Sequence, residues 1–445
     1  MKKSAILLFL TAAVAVLSAC GDSSDAEAWR ELPTTPVTGG DATLTVNGQP
    51  MQGSVQLVPT SAERGVLTLN GVLPGYASVE MEVALAEQAD GSFDFSGETG
   101  LTAAPAMTTK AAAAEPAIFR LTVEGNLTPA GKATLAARSA LTPEAQGGLS
   151  GTWRLLPAPV ADPVTGMPAL TPIFVVWTPI DAAKPNMQQG AMIVDLFGSM
   201  VLFDVLDSVT LHEDGNITAR YWPEIGMGGS DENNNFIASH DEWLESPKNN
   251  LAFWYVKNDR FYVVPNIDAI LRETADEDGG EEQPADLEQI VAQLKQFGVD
   301  TEALQAALKE WMVTGIPLRY AKEGSSLKLY VDKQMVTPFM EALLPALPKL
   351  DEMLAPILAD PENETGALLQ MAFGMLGIEK LADIQTIWNT NTADFELSVN
   401  FVAGSAGSAP AAVKSRTSAA ALRLPEDVDL DVFGRLLERK FGVRK

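Results

Sequence analysis

Between about Asp41 and Leu156 the chain is written in short runs of alternating apolar and polar residues. Val79-Glu80-Met81-Glu82-Val83-Ala84-Leu85 is the cleanest, and Asp90-Gly91 then turns the chain into Phe93-Asp94-Phe95. One phrase recurs three times, as Leu44-Thr45-Val46-Asn47-Gly48, Leu67-Thr68-Leu69-Asn70-Gly71 and Leu121-Thr122-Val123-Glu124-Gly125. A period of two, closed by glycine turns, predicts strands with one buried face joined by hairpins. The region therefore reads as an all-β domain over residues 41–156, a sandwich or small barrel. The Ala-rich stretch Thr102 to Ala117 carries no strand pattern and reads as a long loop.

The pattern changes near Gly147. Strands are predicted at Gly151–Leu155 and Pro172–Trp177, and hairpins at Val209–Ala219 around Asp214-Gly215, at Leu251–Val264 around Asn258-Asp259 and at Ile316–Val331 around Glu323-Gly324. Helical spacing appears at Gly190–Leu206, Ile267–Glu273, Leu287–Met312, in proline-punctuated pieces from Thr337 to Ala359, and at Thr365–Trp388. A last strand is expected at Asp394–Phe401. Residues 157–402 thus read as an α+β domain, and residues 403–445 as a Ser/Ala/Gly linker with a short C-terminal helix. The fold class expected for the whole is α+β and multidomain.

The N-terminus changes the picture of where the protein sits. Lys2 and Lys3 precede an uncharged apolar stretch from Ala5 to Leu17, followed by Leu17-Ser18-Ala19-Cys20, and Cys20 is the only cysteine. Residues 1–19 have the layout of a secretory leader. Small residues directly before a lone cysteine resemble a bacterial lipobox, which implies lipidation of Cys20 and a membrane anchor made of acyl chains. Residues 20–40 open as Gly21-Asp22-Ser23-Ser24-Asp25-Ala26-Glu27 and read as a disordered acidic tether. The tether is similar to the acidic signal that sends lipoproteins to the outer face of the outer membrane in the Gram-negative gut group that includes Bacteroides. A plain spacer facing the periplasm is the alternative.

Charge narrows the partners. The chain carries 31 basic and 58 acidic side chains, a formal net charge of −27, and leader cleavage would remove two lysines and no acid. Such a chain is repelled by nucleic acid and has no polybasic grip on anionic lipid, so membrane attachment falls to the lipid. Gly190–Leu206 is the nearest thing to a second membrane span, but it is short and broken by Asp195 and Asp204, and is expected to be a buried helix. The strand rhythm of the first region, its LTxxG phrases and the His212-Glu213-Asp214-Gly215-Asn216-Ile217-Thr218-Ala219 hairpin resemble calycin-like lipoproteins of unknown function from the same bacterial group, over residues 40 to 265. That resemblance implies a lipocalin-like β-domain at the cell surface and no catalytic residue.

Candidate chemistry is sparse. The two histidines, His212 beside a hairpin turn and expected to face solvent, and His240 between Ser239 and Asp241, would have to serve any histidine-dependent site. No HExxH, Walker loop, dinucleotide fingerprint or GxSxG occurs. Asp231, Asn233, Asn235, Ser239 and Glu242 fall at positions one, three, five, nine and twelve of an EF-hand-like loop, oxygen ligands suited to Ca²⁺, although Phe236 stands where the turn requires glycine. An Asn-rich turn reads the same sequence, and no other cofactor is indicated. Glu277, Asp278, Glu281 and Glu282 read as a solvated loop. Met312, Met335, Met340, Met353, Met371 and Met375 suit either core packing or an apolar groove. Trp222, Trp243 and Trp254, if exposed, would suit stacking on sugars.

These features lead to a lipid-anchored, non-enzymatic outer-membrane protein whose ligand is an unidentified glycan, lipid or protein. A surface hydrolase acting on glycan or peptidoglycan through paired carboxylates, and a structural accessory subunit of an envelope complex, are the rival expectations.

Overall fold

The computed structural model describes residues 28–73, 76–102, 116–161, 168–266, 298–302, 315–359 and 376–404, with scattered residues between 295 and 376. The leader, Cys20, most of the tether, residues 103–115, the acidic stretch from Glu277 to Glu282, the expected helix Ile267–Glu273 and residues 405–445 lie outside the described residues, as does most of Leu287–Met312. What is described is mostly β: two curled sheets with few helices.

The first sheet holds nine strands: β1 (Val37–Thr38), β2 (Ala42–Val46), β3 (Gln49–Met51), β4 (Ser54–Ser61), β5 (Arg64–Asn70), β6 (Ser78–Glu87), β7 (Phe93–Leu101), β8 (Phe119–Leu127) and β9 (Ala133–Leu141). From β4 to β9 they form an antiparallel meander, and β2 adds in parallel to β9, so the order is β1-β4-β5-β6-β7-β8-β9-β2-β3. This order forces the curl. β3 and β4 stand seven strand spacings apart in the sheet, about 34 Å if it were flat. Only Gln52 and Gly53 join them, and three Cα steps reach about 11 Å. The two ends must therefore come round to one another.

The inside of that curl is filled. Period-two burial puts Val79, Met81, Val83 and Leu85 of β6 inward, with Leu67, Phe93, Phe95, Leu121, Val123 and Leu135 from neighbouring strands, all at most 6% exposed. Gly125 lets the layer close: a Cβ there would lie 2.3 Å from the Phe95 ring and 2.2 Å from the Thr134 carbonyl. The ring of Phe95, directly opposite Gly125 in register, takes the volume a side chain would have used.

A short helix, α1 (Pro143–Gln146), capped by Thr142, leads to the second sheet. Its strands are β10 (Gly151–Leu155), β13 (Ile173–Pro179), β14 (Leu206–Leu211), β15 (Ile217–Tyr221), β18 (Leu244–Glu245), β19 (Ala252–Lys257), β20 (Arg260–Pro265), β21 (Ile316–Glu323), β22 (Ser326–Asp332) and β23 (Thr392–Ala403). Two small hairpins, β11 (Val160–Ala161) with β12 (Pro168–Leu170) and β16 (Gly229–Ser230) with β17 (Phe236–Ile237), flank it. Its path is β18-β15-β14-β10-β23-β22-β21-β20-β19, and an isolated bridge from Asn216 to Phe253 brings its far end back toward β15. The change of pattern near Gly147 thus marks a change of sheet. β10, which falls before the boundary at residue 156, belongs to the second.

One apolar cluster joins the two sheets, running from Val46 and Leu121 to Trp254, Phe261, Leu327 and Phe401. At the seam Phe119 meets Phe253 and Tyr255 edge-on, with centroids 6.2 and 6.3 Å away. The helices α4 (Lys333–Leu343), α5 (Leu347–Leu358) and α6 (Ala382–Asn391) pack elsewhere, on the part of β23 and β13 where Trp177, Trp388 and Phe395 form a mutually edge-on trio. Thr365–Trp388 is not one helix: Gly377, at φ +69°, ends the first part, and Asp383 accepts the N–H groups of Glu379 and Lys380 ahead of α6. Gly190–Leu206 is also more divided than its sequence suggests. It comprises α2 (Gln188–Ile193), a π turn (Val194–Gly198) and α3 (Ser199–Val205), with Met192 and Val194 exposed.

Candidate functional site

The outer wall of the first sheet carries an open groove of about 680 Å³. The strand period that fills the inside with large side chains leaves Ala84, Ala86, Ser96 and Ala136 on the outside, and these small residues set the groove's width. Thr43, Thr45, Thr134 and Asn126 add hydroxyls and an amide, and Asp94 and Glu124 add the charge. No Lys or Arg is among the lining residues. Asp94 is held on both oxygens, by Gln88 Nε2 at 2.7 Å and Asn126 Nδ2 at 2.8 Å, and Asn126 also donates to Ser92. Glu124, opposite Ser96 on the neighbouring strand, stands exposed beside this network. Fixed acceptors around small hydroxyl-bearing side chains favour a neutral or basic polar ligand and repel an anionic one.

Sequence reasoning passed over the groove because it has no spacing of its own. Its outward-facing residues come from five strands, and Leu85, Phe95 and Leu135 line its floor from the interior layer, a signal that needed the strand order as well as the period.

The EF-hand-like spacing belongs to a different structure. Asp231 to Asn235 is the tight turn of the β16–β17 hairpin. Asp231 Oδ1 accepts from the N–H groups of Asn233 and Asn235, both at 2.8 Å, and Oδ2 from the Asn235 amide at 2.8 Å. These bonds pull the Asp231 carboxyl below its ordinary pKa, the Asn235 side chain first among the causes. Asn235 thereby presents its N–H₂ to Asp231. Ser239 turns away: its N–H and hydroxyl both donate to the buried Asp204, at 2.5 and 3.1 Å. Glu242 is exposed. Among the described residues no group of three or more His, Cys, Asp or Glu side chains stands in metal-binding geometry.

Both histidines are drawn into packing. His212 does not face solvent freely. It is half-buried, its Nε2 shares a 2.8 Å hydrogen bond with Thr218 Oγ1, and its carbonyl accepts from Trp254 Nε1. Burial, helped by Lys248, pushes its pKa down. His240 donates from Nε2 to the Asp204 carbonyl at 2.8 Å and lies stacked on Trp222, with Trp243 edge-on, each centroid 4.6 Å away. Those two tryptophans are thus engaged with an imidazole, and Trp254 is wholly buried, so none of the three is a bare sugar platform.

A second polar constellation lies beside His240. β14 carries a bulge between Leu206 and Ser208, and the extra residue, Asp207, turns its carboxylate to Arg154 Nη2 at 2.6 Å and Arg220 Nη1 at 3.2 Å. Arg220 also leans over the Trp243 ring at 5.9 Å. The carboxylate is shared between two guanidiniums and sits between strands, which is an arrangement that fixes β10, β14 and β15 to one another.

Of the methionines, Met340 packs with the Trp388 cluster while Met353 is half exposed; Met312, Met371 and Met375 lie outside the described residues. No described helix is long and apolar enough to cross a membrane. Comparison of the chain with protein-family models, with curated proteins and with solved structures gives no match in any of the three.

Proposed function

We propose that this protein is a lipid-anchored envelope protein, held on the outer membrane through Cys20, that binds a neutral or basic glycan-like ligand in the outer groove of its first sheet without transforming it. The observation that carries the ligand class is the groove's lining: two carboxylates, hydroxyls and small side chains, with no cation. The anchor rests on the leader and its single cysteine. A calycin-like reading of the first sheet is supported by its curl, but the filled interior moves the ligand from the inside of the curl to its outer wall. On this reading the first sheet, β1 to β9, is the ligand-binding unit, and the second sheet with its helices supports it.

The test uses the soluble form, without residues 1–19 and with Cys20→Ala, against arrays of neutral, basic and acidic glycans. Neutral or basic ligands should bind, and Ser96→Trp, which fills the groove from an outward position, should abolish that binding while leaving the melting curve in place. Binding confined to acidic glycans, or none across broad arrays, overturns the reading. Turnover that disappears in Glu124→Gln would instead support the hydrolase. The anchor is tested separately: fatty-acid labelling should mark the wild type and not Cys20→Ser, and protease added to intact cells should reach a protein that faces outward.

A further inference from the structure

Among the described residues strand β13 pairs with β23 on one side only, so the N–H and C=O groups of its other side face no described strand. Helix side chains take the strand's place. Asp195 Oδ1 accepts from the Val175 N–H at 2.6 Å, Ser199 Oγ accepts from the Ile173 N–H at 3.0 Å, and the same hydroxyl group lies 3.2 Å from the Ile173 carbonyl. Two donors two residues apart on the strand, Ile173 and Val175, thus meet acceptors four residues apart on the strap, Ser199 and Asp195.

We propose that residues 188–205 are a strap over the open edge of β13, and that ionisation of Asp195 releases it, turning the Ile173 and Val175 N–H groups to solvent.

Asp195 is 8% exposed, and the elements in main contact with its π turn are α2, α3 and β13. Among them they carry one other ionisable group, Asp204, whose oxygens take Ser239. No cation on these elements faces the carboxylate. Burial therefore raises its pKa to about 7, with the Val175 N–H opposing. On the solvent side the strap presents Met192 and Val194, 50% and 44% exposed, so little covers it from outside. The carboxylate sits in a π turn, a helix irregularity that recurs at functional sites.

The direction follows from linkage. A carboxylate that titrates near 7 when covered and near 3.8 when solvated favours the covered state at low pH and the open state as pH rises. Between pH 5 and pH 8 those two values raise the open fraction about 10²-fold.

The experiment is amide hydrogen exchange on the full soluble chain at pH 5 and pH 8, corrected for intrinsic rates, with Asp195→Asn alongside. Protection at Ile173 and Val175 should fall about 10²-fold in the wild type and stay level with pH in Asp195→Asn, while Phe401 and Leu329 in the core pairing of β22 with β23 hold theirs in both. Equal protection at the two pH values overturns the strap. So does a loss spread evenly over the second sheet, which would mean global unfolding. If Asp195→Asn does not fold, the wild-type contrast between β13 and β22 decides by itself, and Ser199→Ala should lower protection at Ile173 without altering the pH dependence at Val175.

Discussion

Asn216 and Asn250 hydrogen-bond to each other twice at the seam between the sheets: the Asn250 N–H donates to Asn216 Oδ1 at 3.0 Å, and Asn216 Nδ2 donates to Asn250 Oδ1 at 3.1 Å. Both are at most 1% exposed, and Asn250 Nδ2 reaches across to the Val46 carbonyl of the first sheet at 2.8 Å. The pair therefore welds β15, the β19 approach and β2. Asn250 also holds φ at +60°, a conformation asparagine tolerates and alanine does not. Asn250→Ala should lower stability by about 2–4 kcal/mol, combining buried groups left unpaired with the backbone term. Asn216→Ala should lower it by about 1–3 kcal/mol, and the double variant by less than the sum of the two. Denaturant unfolding of the three variants measures all of this.

Gly125 and Phe95 supply a second prediction. Gly125→Ala must displace the Phe95 ring or the Thr134 strand, and should destabilise by about 1–3 kcal/mol or more. Adding Phe95→Ala to Gly125→Ala should recover less than the ring removal itself forfeits, because the cavity it leaves exceeds one methyl group. Unfolding midpoints of the single and double variants give the comparison.

His212 gives a pH dependence of stated sign. Its folded pKa lies below the ordinary 6.5, so the folded state binds its proton less readily than the unfolded chain. The stabilisation tied to the neutral imidazole is complete above pH 6.5 and is lost as pH falls toward the folded value. His212→Gln, which keeps a group able to bond Thr218, should flatten the melting temperature over that window. A wild-type curve that is already flat between pH 7 and 5 would refute it.

For the Asp231 turn the expected outcome with Ca²⁺ is an unchanged melting curve in millimolar calcium or chelator, because Asp231 spends its oxygens on Asn233 and Asn235. Asp231→Ala should instead speed amide exchange at Asn233 and Asn235. A calcium-dependent rise in melting temperature, lost in Asp231→Ala with Glu242→Ala, would restore the loop as a metal site.

Strands were the legible part of the sequence. The alternation at Val79–Leu85, the Asp90-Gly91 turn and the hairpins at Val209–Ala219, Leu251–Val264 and Ile316–Val331 all stand where the period and turn residues put them. Periodicity names a strand's buried face and not its neighbour. The parallel pairing of β2 with β9, and the meeting of β10 with β23, depend on residues about 90 and 250 positions apart and leave no local mark. The site was hidden for the same reason. Asp94 and Glu124 look like ordinary outward positions until β7 and β8 are laid side by side, while the oxygen-rich run at Asp231 is conspicuous in sequence because turns select such residues. The bulge at Asp207 and the exchange of strand for helix at Asp195 are likewise matters of register.

The long final strand also sets an order of events in time. Among the described residues, β23 is the strand that joins β10 and β13 on one side to β22 on the other, and it is made of residues 392–403. Until that stretch has left the ribosome, β10 and β22 end their halves of the sheet on bare edges and β13 has no described strand beside it. If the chain is exported as proposed, it must be kept from aggregating throughout translocation and then fold the second sheet in a late, concerted step dominated by contacts distant in sequence.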